Sequence, residues 1–351
     1  MPYRFKINEP VEKGFRRIAR EQLDASLAEL AGPEVGPRNV HECRKSLKRL
    51  RSLVRLAADA IGSGKALRRT KSLGDIAKLL SARRDRTVML ETISKLSHET
   101  PDTASALDPL KESLGSHAPE EAEALDADIA ARARMLLLQE AKKFSRTKFN
   151  KRGFAALAGG LEASYRQGRK ASKYAYEEPT DENFHDLRKA VQWHWRQMSL
   201  LAKAWPDEFA VRVHAARDLS QLLGDDHDLA MLVVAASHSV AMSEEQKETA
   251  VAVCRRQQQI LRATAEYRSK RLFAEKPEAF VSRVAAYWRC SRPLDPRLEV
   301  QAAPSQIATA GEGGAPVAAE VQASAVEKRP ARAKPRLATD SETPAPSQRR
   351  A

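Results

Sequence analysis

Up to about residue 290, apolar positions recur at the three- and four-residue steps of a helix, and the period-two alternation of a strand is scarcely present. The periodic runs are rich in Ala, Leu, Arg, Lys, Glu and Gln, most of which lose little side-chain freedom in a helix. Breaks are expected where Gly and Pro gather: Gly32-Pro33, Gly36-Pro37, Gly62-Ser63-Gly64, the stretch from Ser97 to Pro119, Gly159-Gly160, Pro179 and Pro206. The pattern predicts an all-α protein, a series of medium and long helices with short connections. Beyond Pro293 the apolar period stops and Ala, Pro, Ser, Thr, Glu and Lys take over, so residues 291–351 are expected to form a disordered tail.

The chain also repeats itself. Val40-His41-Glu42-Cys43-Arg44-Lys45 returns as Phe184-His185-Asp186-Leu187-Arg188-Lys189. Further on, Leu79-Leu80-Ser81-Ala82-Arg83-Arg84-Asp85 is echoed at nearly the same offset by Leu222-Leu223-Gly224-Asp225-Asp226-His227-Asp228. Two matched stations at a common spacing imply a duplicated unit, and the economical arrangement is a pseudo-symmetric pair of bundles. The first would span about 4–140 and the second about 141–290.

The repeated segment is basic. His41, Arg44, Lys48, Arg51 and Arg55 follow steps of three, four, three and four, which places all five on one narrow helical face. Cys43, Leu47, Leu50, Val54 and Ala57 form the opposite, packing stripe. A solvated surface helix normally interleaves acids that relieve like-charge repulsion, but none occurs from Lys45 through Arg55. An anion that completes the site accounts for this better than a bland surface. In the second copy His185, Arg188, Gln192 and Arg196 lie near one face with Lys189 flanking, against Phe184, Leu187, Val191, Trp195 and Met198. Gln192 stands where the first copy has Lys48, so the second half-site is expected to be weaker. Upstream, Arg166, Arg169, Lys170 and Lys173 share a helical face, and Lys142, Lys143, Arg146, Lys148, Lys151 and Arg152 form another acid-free run. Together these are candidates to ring a common groove.

Charge over the whole chain agrees. The 351 residues carry a formal net charge of +14 and a pI near 9.8, a balance that favours a polyanion: nucleic acid, an anionic lipid surface or inorganic polyphosphate. Arginine meets phosphate oxygens with a planar fork of donors and lysine adds a compact charge, with no need of a metal or a nucleophile. Neighbouring cations disfavour protonation of a histidine beside them, and a bound polyanion reverses this, so His41 and His185 are expected to become cationic donors on binding. Cys43, Cys254 and Cys290 are far apart, with no metal or disulfide pattern. No apolar run of signal-peptide length follows the N-terminus, which predicts a soluble cytoplasmic protein without membrane insertion.

These residues resemble the CHAD family, the conserved histidine α-helical domain. The likeness is carried by His41-Glu42-Cys43-Arg44-Lys45-Ser46-Leu47-Lys48-Arg49-Leu50-Arg51, Tyr165-Arg166-Gln167-Gly168-Arg169-Lys170, Phe184-His185-Asp186-Leu187-Arg188-Lys189 and Leu222-Leu223-Gly224-Asp225-Asp226-His227-Asp228-Leu229, in that order, and runs from about Phe5 to about Cys290. It implies two four-helix bundles related by pseudo-twofold symmetry, a CHAD domain over 4–290, and a basic channel that binds inorganic polyphosphate and places the protein at polyphosphate granules. By matching position it implies His41, His185, Arg44, Lys45, Lys48, Arg49, Arg51, Arg188 and Lys189 as ligands; the two stripes add Arg55 and Arg196, and the upstream face adds Arg166, Arg169 and Lys170. Asp85 and Asp228, at equivalent repeat positions, are expected to orient neighbouring guanidinium and imidazole groups.

Two rivals exist. His185-Asp186 and His227-Asp228, with Asp225 and Asp226, suggest metal-assisted phosphohydrolysis, but Arg188 and Lys189 beside His185 oppose a cation. No catalytic residue, metal or cofactor is therefore expected. A nucleic-acid backbone binder is the stronger alternative, and Lys328-Arg329-Pro330-Ala331-Arg332-Ala333-Lys334-Pro335-Arg336 in the tail could touch DNA or RNA loosely. Against it, the stripe lacks interleaved aromatics for base stacking.

Overall fold

The computed structural model describes residues 3–32, 34–80, 85–99, 105–115 and 125–291, and every regular element among them is helical. The helices are α1 (Val11–Glu29), α2 (Pro37–Leu56), α3 (Ala58–Ile61), α4 (Ser63–Leu79), α5 (Asp85–Glu99), α6 (Asp108–Gly115), α7 (Ala127–Ser145), α8 (Ala155–Glu177), α9 (Asp181–Leu201), α10 (Pro206–His238), α11 (Glu244–Leu272) and α12 (Pro277–Cys290). The expected tail from residue 292 onward, with its basic cluster, lies outside the described residues, as do Ser81–Arg84 and the side chain of Asp85.

Local chemistry sets the ends of the two basic helices. Pro37 opens α2 at a position where its missing N–H costs nothing, and Asn39 Oδ1 accepts from Gly36 N at 3.2 Å. Thr180 caps α9 by accepting from Asn183 N through its hydroxyl at 3.2 Å. Gly62, at φ +90°, turns the chain between α3 and α4. The packing stripes are where the period places them: Cys43, Leu47, Leu50, Val54 and Ala57 are fully buried, as are Leu187, Val191 and Met198.

One expected break is absent. α8 runs straight through Gly159-Gly160. A Cβ on Gly160 would strike the carbonyl oxygens of Arg55 and Leu56, and one on Gly159 the Asp59 carboxylate, so these glycines let α8 approach the end of α2 closely. The position 140/141 proposed between the repeats falls inside α7, which packs against α1 and α4.

The main core draws Phe15, Leu47, Phe144, Leu161, Phe184, Leu219 and Trp288 into one cluster, and so spans both sequence halves. A smaller core joins Ile93 and Leu107 to Leu229, Leu232 and Cys254, seating α5 and α6 on α10 and α11. In this frame α2 packs against α9, so the helices that carry the two copies of the basic segment are neighbours. No helix among the described residues is long and apolar enough to cross a membrane.

Candidate anion-binding site

The seam between α2 and α9 is pinned by direct contacts. Ser52 donates to the Trp193 carbonyl at 3.4 Å, and the Arg55 guanidinium lies 3.6 Å over the Trp193 ring while donating to Gln167 of α8 at 2.8 Å. Ahead of α1, Tyr3 donates to the Arg49 carbonyl at 2.6 Å, with the Arg49 guanidinium 5.6 Å from its ring.

Five arginines from the two copies share this seam. Arg196 is only 6% exposed, donates to the Gln192 carbonyl at 2.8 Å and packs 4.3 Å from the Trp195 ring. Burial lowers its pKa to about 10, the Tyr3 hydroxyl works the other way, and the charges of Arg49, Arg51 and Arg188 lower it further. Burial, with Arg51 adding repulsion, takes Arg55 down to about 10 as well. Arg49 and Arg51 are held below the ordinary arginine value chiefly by burial. Burial lowers Arg188 too, opposed by the carboxylates of Asp228, Asp225 and Asp226. The guanidinium of Arg188 rests against Gly224, and that of Arg51 against Gly74.

The Nε atoms of Arg51, Arg188 and Arg196 are buried and have no hydrogen-bond partner in the protein. A desolvated charged donor left unmatched is costly, and at Arg196 the charges of Arg51 and Arg188 add repulsion. An anion with several oxygens is the ligand type whose charge complements such a group.

Beside Arg188 the rings of His185 and His227 lie in tilted contact, centroids 4.5 Å apart at 31°. Burial comes first in lowering both, followed by Lys189 and Arg188 at His185 and by Arg188, His185 and Lys189 at His227, which falls to about 4. His185 Nδ1 is buried without a partner.

The remaining candidates are placed differently. His41 and Lys48 are exposed on α2, Arg44 donates to the Ala77 carbonyl at 3.4 Å, and Lys45 pairs with Glu42 at 3.3 Å. Lys189 pairs with Asp186 at 2.9 Å. Arg166 is held by Glu162 and by Glu278 of α12, Arg169 donates to the Glu275 carbonyl, and Lys170 lies 5.3 Å from the Tyr174 ring. The first two therefore clamp α8 to the α12 junction. The charge of Asp228 acts on Arg188, and the side chain of its counterpart Asp85 lies outside the described residues. Asp226 bonds Arg262 Nε at 2.6 Å, and Arg262 and Arg255 converge on Asp181.

Tyr3, Arg217, Trp193 and His227 belong to the neighbourhood without having been picked out as ligands. Arg217 of α10 lies 5.6 Å from the Trp195 ring and repels Arg49. His227 had a visible signal, its repeat alignment with Arg84; Tyr3 had none, because its contact spans the chain from residue 3 to residue 49. Among the described residues, no group of three or more His, Cys, Asp or Glu side chains is arranged to hold a metal ion.

Fold and seam together define an all-helical protein whose two basic helices meet along an arginine-lined seam. The family model described as the CHAD domain matches residues 17–236, and the chain belongs to that family. No curated protein matches it.

Proposed function

We propose that this protein binds inorganic polyphosphate, without catalysing a reaction on it, through the α2–α9 seam, and that it associates with polyphosphate granules in the cytoplasm. One observation carries the reading: buried guanidinium nitrogens of Arg51, Arg188 and Arg196 without protein partners, drawn from both copies of the basic segment, with Arg51 and Arg188 both repelling Arg196. A linear anion with a charge on every unit, lying along the seam, offsets the positive charge of all three, and it is the ligand that membership of the CHAD family implies. The same reading takes the two copies as pseudo-symmetric four-helix bundles, each contributing one wall.

Nucleic acid fits the seam less well. Trp193 and Trp195, the aromatic rings nearest the arginines, each already carry a guanidinium. The test is competition at one fixed salt concentration. Long-chain polyphosphate should bind and resist displacement by excess duplex DNA or RNA; ready displacement by either would move the assignment to a nucleic-acid binder.

A further inference from the structure

The two copies differ at one chemically telling place. When Leu79–Asp85 is aligned on Leu222–Asp228, His227 stands opposite Arg84. The first copy thus holds a permanent cation where the second holds a titratable ring. That ring lies against His185, centroids 4.5 Å apart and tilted by 31°, and His185 sits one helical turn before Arg188.

Resting on the polyphosphate reading above, we propose that His185 and His227 form a proton-coupled half of the anion site: the rings take up protons as polyphosphate binds, so affinity rises on acidification.

The surroundings support uptake on binding and not before. On α9, Arg188 and Lys189 face both rings and oppose a charge on them; Asp186 favours one on His185 and Asp181 one on His227. Asp186 is paired with Lys189, and Asp181 is shared by Arg255 and Arg262 of α11. On α10, Asp225, Asp226 and Asp228 act on Arg188, with Asp226 bonded to Arg262 and Asp225 to Lys95 of α5 at 3.1 Å. No charge of α2 or α8 is among the principal influences on either ring, and Arg49 and Arg51 act on Arg196. Most of the carboxylates that favour a charge here are thus engaged by other cations. Two imidazolium ions in ring contact require an outside anion, and a polyphosphate chain seated on Arg188 supplies one. His185 Nδ1, buried and unmatched, is then a ready donor or proton acceptor.

The test is the affinity of the full chain for long-chain polyphosphate between pH 8 and pH 5.5, with proton uptake read by calorimetry in two buffers of different ionisation heat. Internal phosphates stay ionised throughout, so the ligand contributes little of its own. The wild type should bind at least about tenfold more tightly at pH 5.5 and take up protons, as linkage requires. His227→Arg, restoring the first copy's fixed charge, should bind well at pH 8 and lose most of the pH dependence. His227→Asn should bind weakly across the range, and circular dichroism checks that both variants fold. A wild-type pH profile in both variants, or binding without proton uptake, overturns the coupling and leaves polyphosphate binding standing. Absence of wild-type binding at every pH overturns both.

Discussion

The guanidinium of Arg55 lies 3.6 Å over the indole of Trp193, joining the last turn of α2 to the middle of α9 and so one copy of the basic segment to the other. Arg55 is largely desolvated, its pKa lowered to about 10 by burial first and Arg51 second, and its neutral counterparts are the Trp193 ring and the Gln167 side chain. A desolvated cation–π contact contributes up to about 2 kcal/mol. Trp193→Leu should therefore lower unfolding free energy by about 1–2 kcal/mol in urea and reduce polyphosphate affinity, because Arg55 loses its position. Unchanged stability would show that the stacking contributes nothing.

Gly160 and Gly159 offer a paired test of the α2–α8 junction. At Gly160 an added methyl meets the backbone carbonyls of Arg55 and Leu56, which cannot yield without moving a helix end; at Gly159 it meets the Asp59 side chain, which can rotate away. Gly160→Ala should cost about 2–3 kcal/mol or more and lower Tm by several degrees. Gly159→Ala should cost less, since better helix propensity offsets part of the strain. Equal effects in thermal unfolding would contradict this contrast.

The same glycines mark where the sequence misleads. A Gly pair in a helical pattern reads as a break by propensity alone, and only the neighbouring helix, distant in sequence, reveals it as a close-approach site. The stripes from Cys43 to Ala57 and from Phe184 to Met198 were legible because helical period alone decides which face packs. Ligand candidates on α2 and α9 were legible for the same reason, but the depth of Arg196 was not: its face is basic in one dimension and covered by Tyr3, Trp195 and α2 in three. Arg166 and Arg169 share a helical face with Lys170 yet bond the α12 junction, which periodicity within α8 cannot foresee.

Arg196 separates binding from folding. Its Nε is unmatched, it is 6% exposed, and Arg49, Arg51 and Arg188 repel it, so without ligand it is a burden on the fold. Apolar replacement of a buried charge is often neutral or stabilising by about 1–4 kcal/mol. Arg196→Met should keep or raise Tm of the free protein while weakening polyphosphate binding roughly tenfold, the loss of one charge-assisted hydrogen bond. A large fall in Tm would instead make Arg196 a structural residue of the seam.

His194 should make the fold lose stability on acidification. The ring is 2% exposed, both nitrogens lack partners, and it sits among Tyr165, Phe273 and Phe280 at 5.5–5.6 Å. Burial first, and Arg212 second, lower its pKa from 6.5 to about 3. Between those values the unfolded chain binds a proton that the native state refuses, so this contribution is fully present above pH 6.5 and is lost as pH falls toward 3. From pH 7 to pH 5 the loss is about 2 kcal/mol by linkage. His227, lowered to about 4, and His185 act in the same direction. Urea unfolding of wild type and His194→Leu at both pH values isolates the term, because all other groups are common to the pair. The variant should lose about 2 kcal/mol less on acidification; parallel losses would mean that the ring is protonated in place and the aromatic pocket accommodates its charge.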